Sequence, residues 1–132
     1  MNLQITKTYE YFLFLDIVAW SVFGLLWYFY PARMLSANTN EEKFNSVSIH
    51  MTRAFAIFLF VSVIPSYYAL LKHDKMLAKF TFMCKFNLFI FLLLTMIYDN
   101  YMSTQWNHKH YKFGMFGLTL AIVNVGLGRY FI

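Results

Sequence analysis

The stretch "YFLFLDIVAWSVFGLLWYFY", residues 11–30, decides the fold. It is apolar, aromatic or small throughout except at Asp16, and as one helix rising 1.5 Å per residue its roughly twenty residues cross a hydrocarbon core of about 30 Å. Three further runs have the same character: "MTRAFAIFLFVSVIPSYYALL" (51–71), "FTFMCKFNLFIFLLLTMIY" (80–98) and "FGMFGLTLAIVNVGLGRYFI" (113–132). They are apolar all round instead of along one stripe, which separates them from the helices of a soluble core. The expected fold is therefore all-α: a polytopic membrane protein, one domain over residues 1–132, forming a four-transmembrane-helix bundle with short loops.

Composition agrees. The 132 residues are 60% hydrophobic, 22% aromatic and 13% charged, against about 25% charged residues in a soluble domain. About half the usual solvating surface is missing, and lipid is the solvent that tolerates its loss. A secretory signal would have a shorter apolar core and a small-residue cleavage site; the first run instead continues into "WYFYPARM" (27–34) and reads as a retained helix. The single cysteine, Cys84, excludes an intrachain disulfide and paired-cysteine redox chemistry. The net charge of +5 is scattered over short loops and helix ends. That distribution suits anionic lipid headgroups and argues against nucleic acid.

Four spans place both termini on one side, here called side A, together with the loop "KHDKMLAK" (72–79). Side B receives "PARMLSANTNEEKFNSVSIH" (31–50) and "DNYMSTQWNHKHYK" (99–112). The Lys/Arg count is nearly balanced, with Lys7, Lys72, Lys75, Lys79, Lys85 and Arg129 toward side A and Arg33, Lys43, Arg53, Lys109 and Lys112 toward side B. The compact basic hairpin tips side A, and so the termini, toward the cytosol. The endoplasmic reticulum or the plasma membrane is the expected host. Within 31–50, Thr39 followed by Glu42 has the pattern of a capping box, and Phe44, Val47, Met51 and Ala54 recur at helical spacing. The second span is thus expected to start near Asn40, with Pro65 removing a backbone donor and kinking it further on. Tyr101, Trp106 and Tyr111 are expected among headgroups.

Asp16 lies four residues beyond Phe12 on the first span, and Lys85 five beyond Phe80 on the third, so both sit roughly 6 to 8 Å below the side-A boundary. An isolated ion in hydrocarbon is costly, and two opposite charges at matched depth predict an interhelical pair. Asn87 is expected in the same layer, Asn124 a turn or two deeper on the last span, and Arg129 closing the side-A end, giving an intramembrane polar cluster of Asp16, Lys85, Asn87, Asn124 and Arg129. The competing reading has Lys85 snorkelling to the headgroups and Asp16 in a local water defect. On the last span Gly117, Ala121, Asn124 and Gly128 follow at spacings of four, three and four, a small face for packing inside the bundle or against a partner. Arg53 and Asp99 are candidates for a second ion pair on side B. "HKH" (108–110) lacks the further ligands a metal site needs, so no metal or other cofactor is expected.

No G-x-S-x-G, P-loop, H-E-x-x-H or CxxC motif is present, and no enzyme is expected. Two functions remain, from different classes. Four spans in slightly over a hundred residues, with an acid in the first, resemble the small multidrug-resistance transporters in layout, which implies a proton- or cation-coupled transporter or channel using Asp16. The acid here stands shallow in "FLFLDIVAW" (12–20) with Lys85 as a candidate partner, and the loop from Pro31 to His50 is longer than in that family. The preferred expectation is a non-enzymatic accessory subunit or adaptor of a larger membrane protein complex, with a lipid-handling complex as one candidate host. Its expected partners are membrane lipids and another membrane subunit or a second copy of itself.

Overall fold

A computed structural model describes residues 3–102 and 106–132. Five helices follow in order: α1 (Thr8–Phe29), α2 (Pro31–Asn38), α3 (Ser46–Leu71), α4 (Lys75–Met102) and α5 (His108–Tyr130). The four long ones are apolar enough and long enough to cross a membrane. Each buries only 17–28% of its apolar window inside the bundle, and the remainder, including Phe58 and Phe91, lies on the outer surface. That is the surface of a bundle coated by lipid.

The long helices alternate in direction around a square. α1 packs against α3 and α5, and α4 against the same two, so α1 and α4 face each other across the diagonal. The core runs along this axis through Leu13, Leu70, Phe82, Phe89, Leu118 and Val125. Trp20 on α1 stacks on Phe89 of α4 with ring centroids 5.1 Å apart, filling the diagonal. Hydrocarbon is as apolar as leucine, so such contacts hold helices together by fit, not by exclusion of water.

Side B differs from expectation. The loop 31–50 does not extend the second span to Asn40; it folds into α2, which lies over the end of the bundle against α1, α3 and α5. Pro31 opens α2, where its missing N–H costs nothing. Thr39 ends that helix, and Asn45 caps α3 instead, its side-chain Oδ1 accepting from the Ser48 N–H at 2.8 Å. An Asn cap placed next to the apolar run displaces the Thr39–Glu42 alternative. Trp27, Leu35 and Ala56 form a second small core beneath α2. Asn107 then ties α2 to α5. Its backbone N–H donates to Asn38 O, its amide donates to Ala37 O and Thr39 O, and its side-chain oxygen caps α5 through the His110 N–H. Tyr101 is exposed as an interfacial residue would be, whereas Tyr111 is buried.

At side A, α3 and α4 join through a tight turn of Schellman geometry. Asp74 N–H reaches Ala69 O and His73 N–H reaches Leu70 O, with His73 at φ 51°, the left-handed position that usually takes glycine. Asp74 caps α4 through the Leu77 N–H at 2.9 Å.

Candidate functional site

The polar centre is built by three helices. Asp16 on α1 faces the bundle axis because Tyr9, Leu13 and Asp16 occupy one helical face, and all three are buried. On α4 the buried face is Ala78, Thr81, Phe82, Lys85 and Phe89. Lys85 therefore points inward from the opposite corner, and its Nζ donates to Asp16 Oδ2. Ser66 of α3 completes the group, its hydroxyl donating to the same Oδ2 at 2.7 Å. Asp16, Lys85 and Ser66 are 3%, 5% and 0% exposed, so the charges meet out of contact with solvent or lipid. Two donors on one carboxylate oxygen offset part of the desolvation cost that a buried pair always carries.

Thr81, one turn before Lys85 on the same face, keeps a buried hydroxyl without a hydrogen-bond partner. Ser66 and Thr81 escaped the sequence reading because small hydroxyl residues are ordinary in spans. The available signal was helical spacing: Thr81 stands four residues from Lys85, and Ser66 follows Pro65, where the backbone ladder is already interrupted.

The other expected members of the cluster stand elsewhere. Asn87 is exposed on the outer face of α4; two residues from Lys85 is about 200° around a helix, so an inward lysine turns it out. Asn124 is not deeper than Asp16 but shallower: its amide donates to Phe12 O at 3.0 Å, one turn closer to side A. Arg129, five residues further on, lies roughly 13 Å from the depth of Asp16. It occupies the last turn of α5, where a cation suits the negative end of the helix dipole.

Of the small face expected on α5, Ala121, Asn124 and Gly128 pack inside the bundle and Gly117 does not. The packed stripe is Tyr111, Gly114, Leu118, Ala121, Val125 and Gly128, at spacings of three and four. A Cβ on Gly128 would collide with the Phe82 ring, and one on Gly114 with Met96, so both glycines admit α4 side chains. Gly117 is on the open side, with nothing within 4 Å of a Cβ built there. The expected Arg53–Asp99 pair does not form. Arg53 Nε donates to Tyr28 O at 3.3 Å, taking one of the carbonyls left free at the end of α1. Asp99 is within electrostatic range of His110 on α5 instead.

A second buried acid was missed altogether. Glu10, 0% exposed in the first turn of α1, accepts from Thr6 N–H, Lys7 N–H and the Thr6 hydroxyl and meets His73 Nδ1 at 2.6 Å. It fastens the start of α1 to the α3–α4 turn. On side B His110, of the "HKH" stretch, stacks on Trp106 with centroids 4.1 Å apart and turns Nδ1 to Asn38 Oδ1 at 3.1 Å. Among the described residues no group of three His, Cys, Asp or Glu side chains gathers as a metal site.

Four lipid-coated spans around a buried ion pair define a multi-pass helical membrane protein. The chain belongs to the family described as domain of unknown function DUF8292, whose model matches residues 2–130. No curated protein and no solved structure matches it.

Proposed function

We propose that the protein is a non-enzymatic accessory subunit or adaptor within a larger membrane assembly. The observation that carries this reading is the state of Asp16. A coupling carboxylate has to exchange its proton or cation during a cycle, whereas here one oxygen is committed to two protein donors, Lys85 and Ser66, in a buried layer. Such a tie fixes how three helices meet. The activity then resides in what the outer surface contacts, and that surface is a continuous coat of Phe, Leu, Val and Tyr with an open notch at Gly117. A coat so rich in phenylalanine suits acyl chains as well as a partner span, and a lipid-handling complex is the host we favour.

The second reading, a small proton- or cation-coupled transporter, draws on Thr81. Its unpartnered hydroxyl beside Lys85 offers the buried pair an alternative acceptor.

Purification in mild detergent separates the two. Stoichiometric co-purification with a larger membrane protein supports the subunit. A lone homodimer whose ligand binding releases protons, with the release lost in Asp16→Asn, supports the transporter and overturns our reading.

A further inference from the structure

α4 turns Ala78, Thr81, Phe82, Lys85 and Phe89 inward and leaves the opposite face outward. On that outward face Phe80, Cys84, Asn87, Phe91, Leu94 and Tyr98 follow at alternating steps of four and three, and all are exposed. The spacing is that of the a/d seam of a left-handed helix pair, the usual packing of membrane spans.

The apolar members of this seam are at home in hydrocarbon, and Tyr98 stands at its side-B end, where a tyrosine reaches the interface. Asn87 is not suited to its place. It lies near the middle of the 80–98 run, roughly 10 Å from Phe80, and its side chain is too short to carry the amide to the headgroups. Exposed hydroxyl residues elsewhere in the spans return their donors to their own helix, Thr95 to Phe91 O at 2.9 Å and Thr119 to Met115 O at 2.7 Å. Asn124 instead crosses to the backbone of α1, donating to Phe12 O. Among the described residues Asn87 has neither kind of partner. An amide held in hydrocarbon without a hydrogen bond costs free energy that a second helix recovers.

The chemistry of the amide selects that helix. It carries an electropositive N–H group and an electronegative carbonyl side by side, so it is the complement of a copy of itself. Two copies inserted the same way round and related by a two-fold axis along the membrane normal bring both Asn87 residues to one depth automatically. An unrelated span would need a polar group of its own at that depth. A single polar residue in an apolar seam is also the device that fixes register and copy number in helix pairs.

We propose that the outward face of α4 is a self-association surface, on which two copies pack along the seam from Phe80 to Tyr98 and each Asn87 side-chain N–H donates to the side-chain oxygen of its counterpart. A pair joined this way fits inside a larger assembly and does not depend on the accessory role proposed above.

Cys84, the single cysteine, lies on the seam one turn before Asn87 and supplies the probe. Oxidation with copper phenanthroline in membranes should link the unaltered chain into a species of twice its mass. The control is Leu15→Cys in a Cys84→Ser background. Leu15 is exposed on α1 at the depth of Cys84, and its cysteine should not cross-link above background. Asn87→Leu should raise the dimer dissociation constant by about tenfold, the worth of an interhelical hydrogen bond or two, read by energy transfer between copies labelled at the N-terminus in lipid vesicles. Asn87→Gln, which keeps an amide, should bind more tightly than Asn87→Leu. Absence of the doubled species, equal cross-linking from Leu15→Cys, or unchanged association in Asn87→Leu overturns the proposal. A Cys84 adduct to a protein of another mass, in place of the doubled chain, overturns the second copy in favour of an unrelated span. The cross-link in the unaltered chain keeps the test decisive should a variant fail to fold.

Discussion

Lys85 on α4 reaches across the bundle diagonal to Asp16 on α1, and Ser66 of α3 closes on the same carboxylate oxygen. Because α1 and α4 are not neighbours along the sides of the square, this tie fixes the register of two helices that otherwise meet only through large side chains.

Removing one charge leaves the other buried and alone. Asp16→Asn or Lys85→Met should each cost about 3 to 5 kcal/mol of folding free energy, while the double variant should recover most of that loss. Ser66→Ala, which keeps the ion pair, should cost about 1 to 2 kcal/mol. Unfolding in mixed micelles with increasing sodium dodecyl sulfate measures all four. Additive losses in the double variant would show that the two residues act independently.

The close approach of α5 to α4 gives a second test. Gly128→Ala drives a methyl group into the Phe82 ring, which is 1% exposed and has little room to move, and should destabilise the bundle by about 1 to 3 kcal/mol. Phe82→Leu should partly rescue it. Gly117→Ala, whose new methyl group meets open space, should leave the isolated protein unchanged. If that side of α5 is where a partner span docks, Gly117→Ala weakens co-purification without lowering stability.

These residues also mark how far the sequence was legible. Four spans could be read because a twenty-residue apolar run has few alternatives, and the depth of Asp16 and Lys85 followed from counting residues along two parallel helices. Rotation was harder to read than depth. Asn87 shares the depth of Lys85 but points out, and the stripe beginning at Gly117 shares Ala121 and Gly128 with the packed stripe beginning at Tyr111. With Lys85 assigned inward, the helical period alone places Asn87 outside. Contacts between distant loops left no local signal. Nothing near Asn107 announces that its amide will finish α2, and a proline at position 31 reads as a stop although it is equally suited to a start.

Asn107 serves two helices at once. Asn107→Ala removes the cap of α5 and the donors to Ala37 O and Thr39 O. The lost cap alone should cost about 1 kcal/mol. Hydrogen exchange should accelerate over residues 31–45 and at the start of α5, with α1 and the centre of α4 unaffected. Uniform acceleration along the whole chain would instead mean that α2 is part of the cooperative core.

The Glu10–His73 contact carries opposed terms, so its variants have a defined order. His73 sits at φ 51°, a conformation that costs a non-glycine residue roughly 1 to 2 kcal/mol. His73→Gly removes that cost but leaves Glu10 without its only side-chain partner from another helix region, in a site that is 0% exposed. Glu10 keeps the Thr6 and Lys7 donors on Oε2 but loses the partner of Oε1, and that loss in a buried site should outweigh the relieved backbone, making His73→Gly less stable than the parent by about 1 to 2 kcal/mol. Glu10→Gln in the same background removes the buried charge while an amide oxygen still accepts from Thr6 and Lys7 N–H. The double variant His73→Gly/Glu10→Gln should therefore be more stable than His73→Gly alone, measured by thermal unfolding in detergent at neutral pH. Were His73→Gly already more stable than the parent, the contact would be a consequence of the turn, and the backbone of the α3–α4 connection would set the position of α1 without help from the carboxylate.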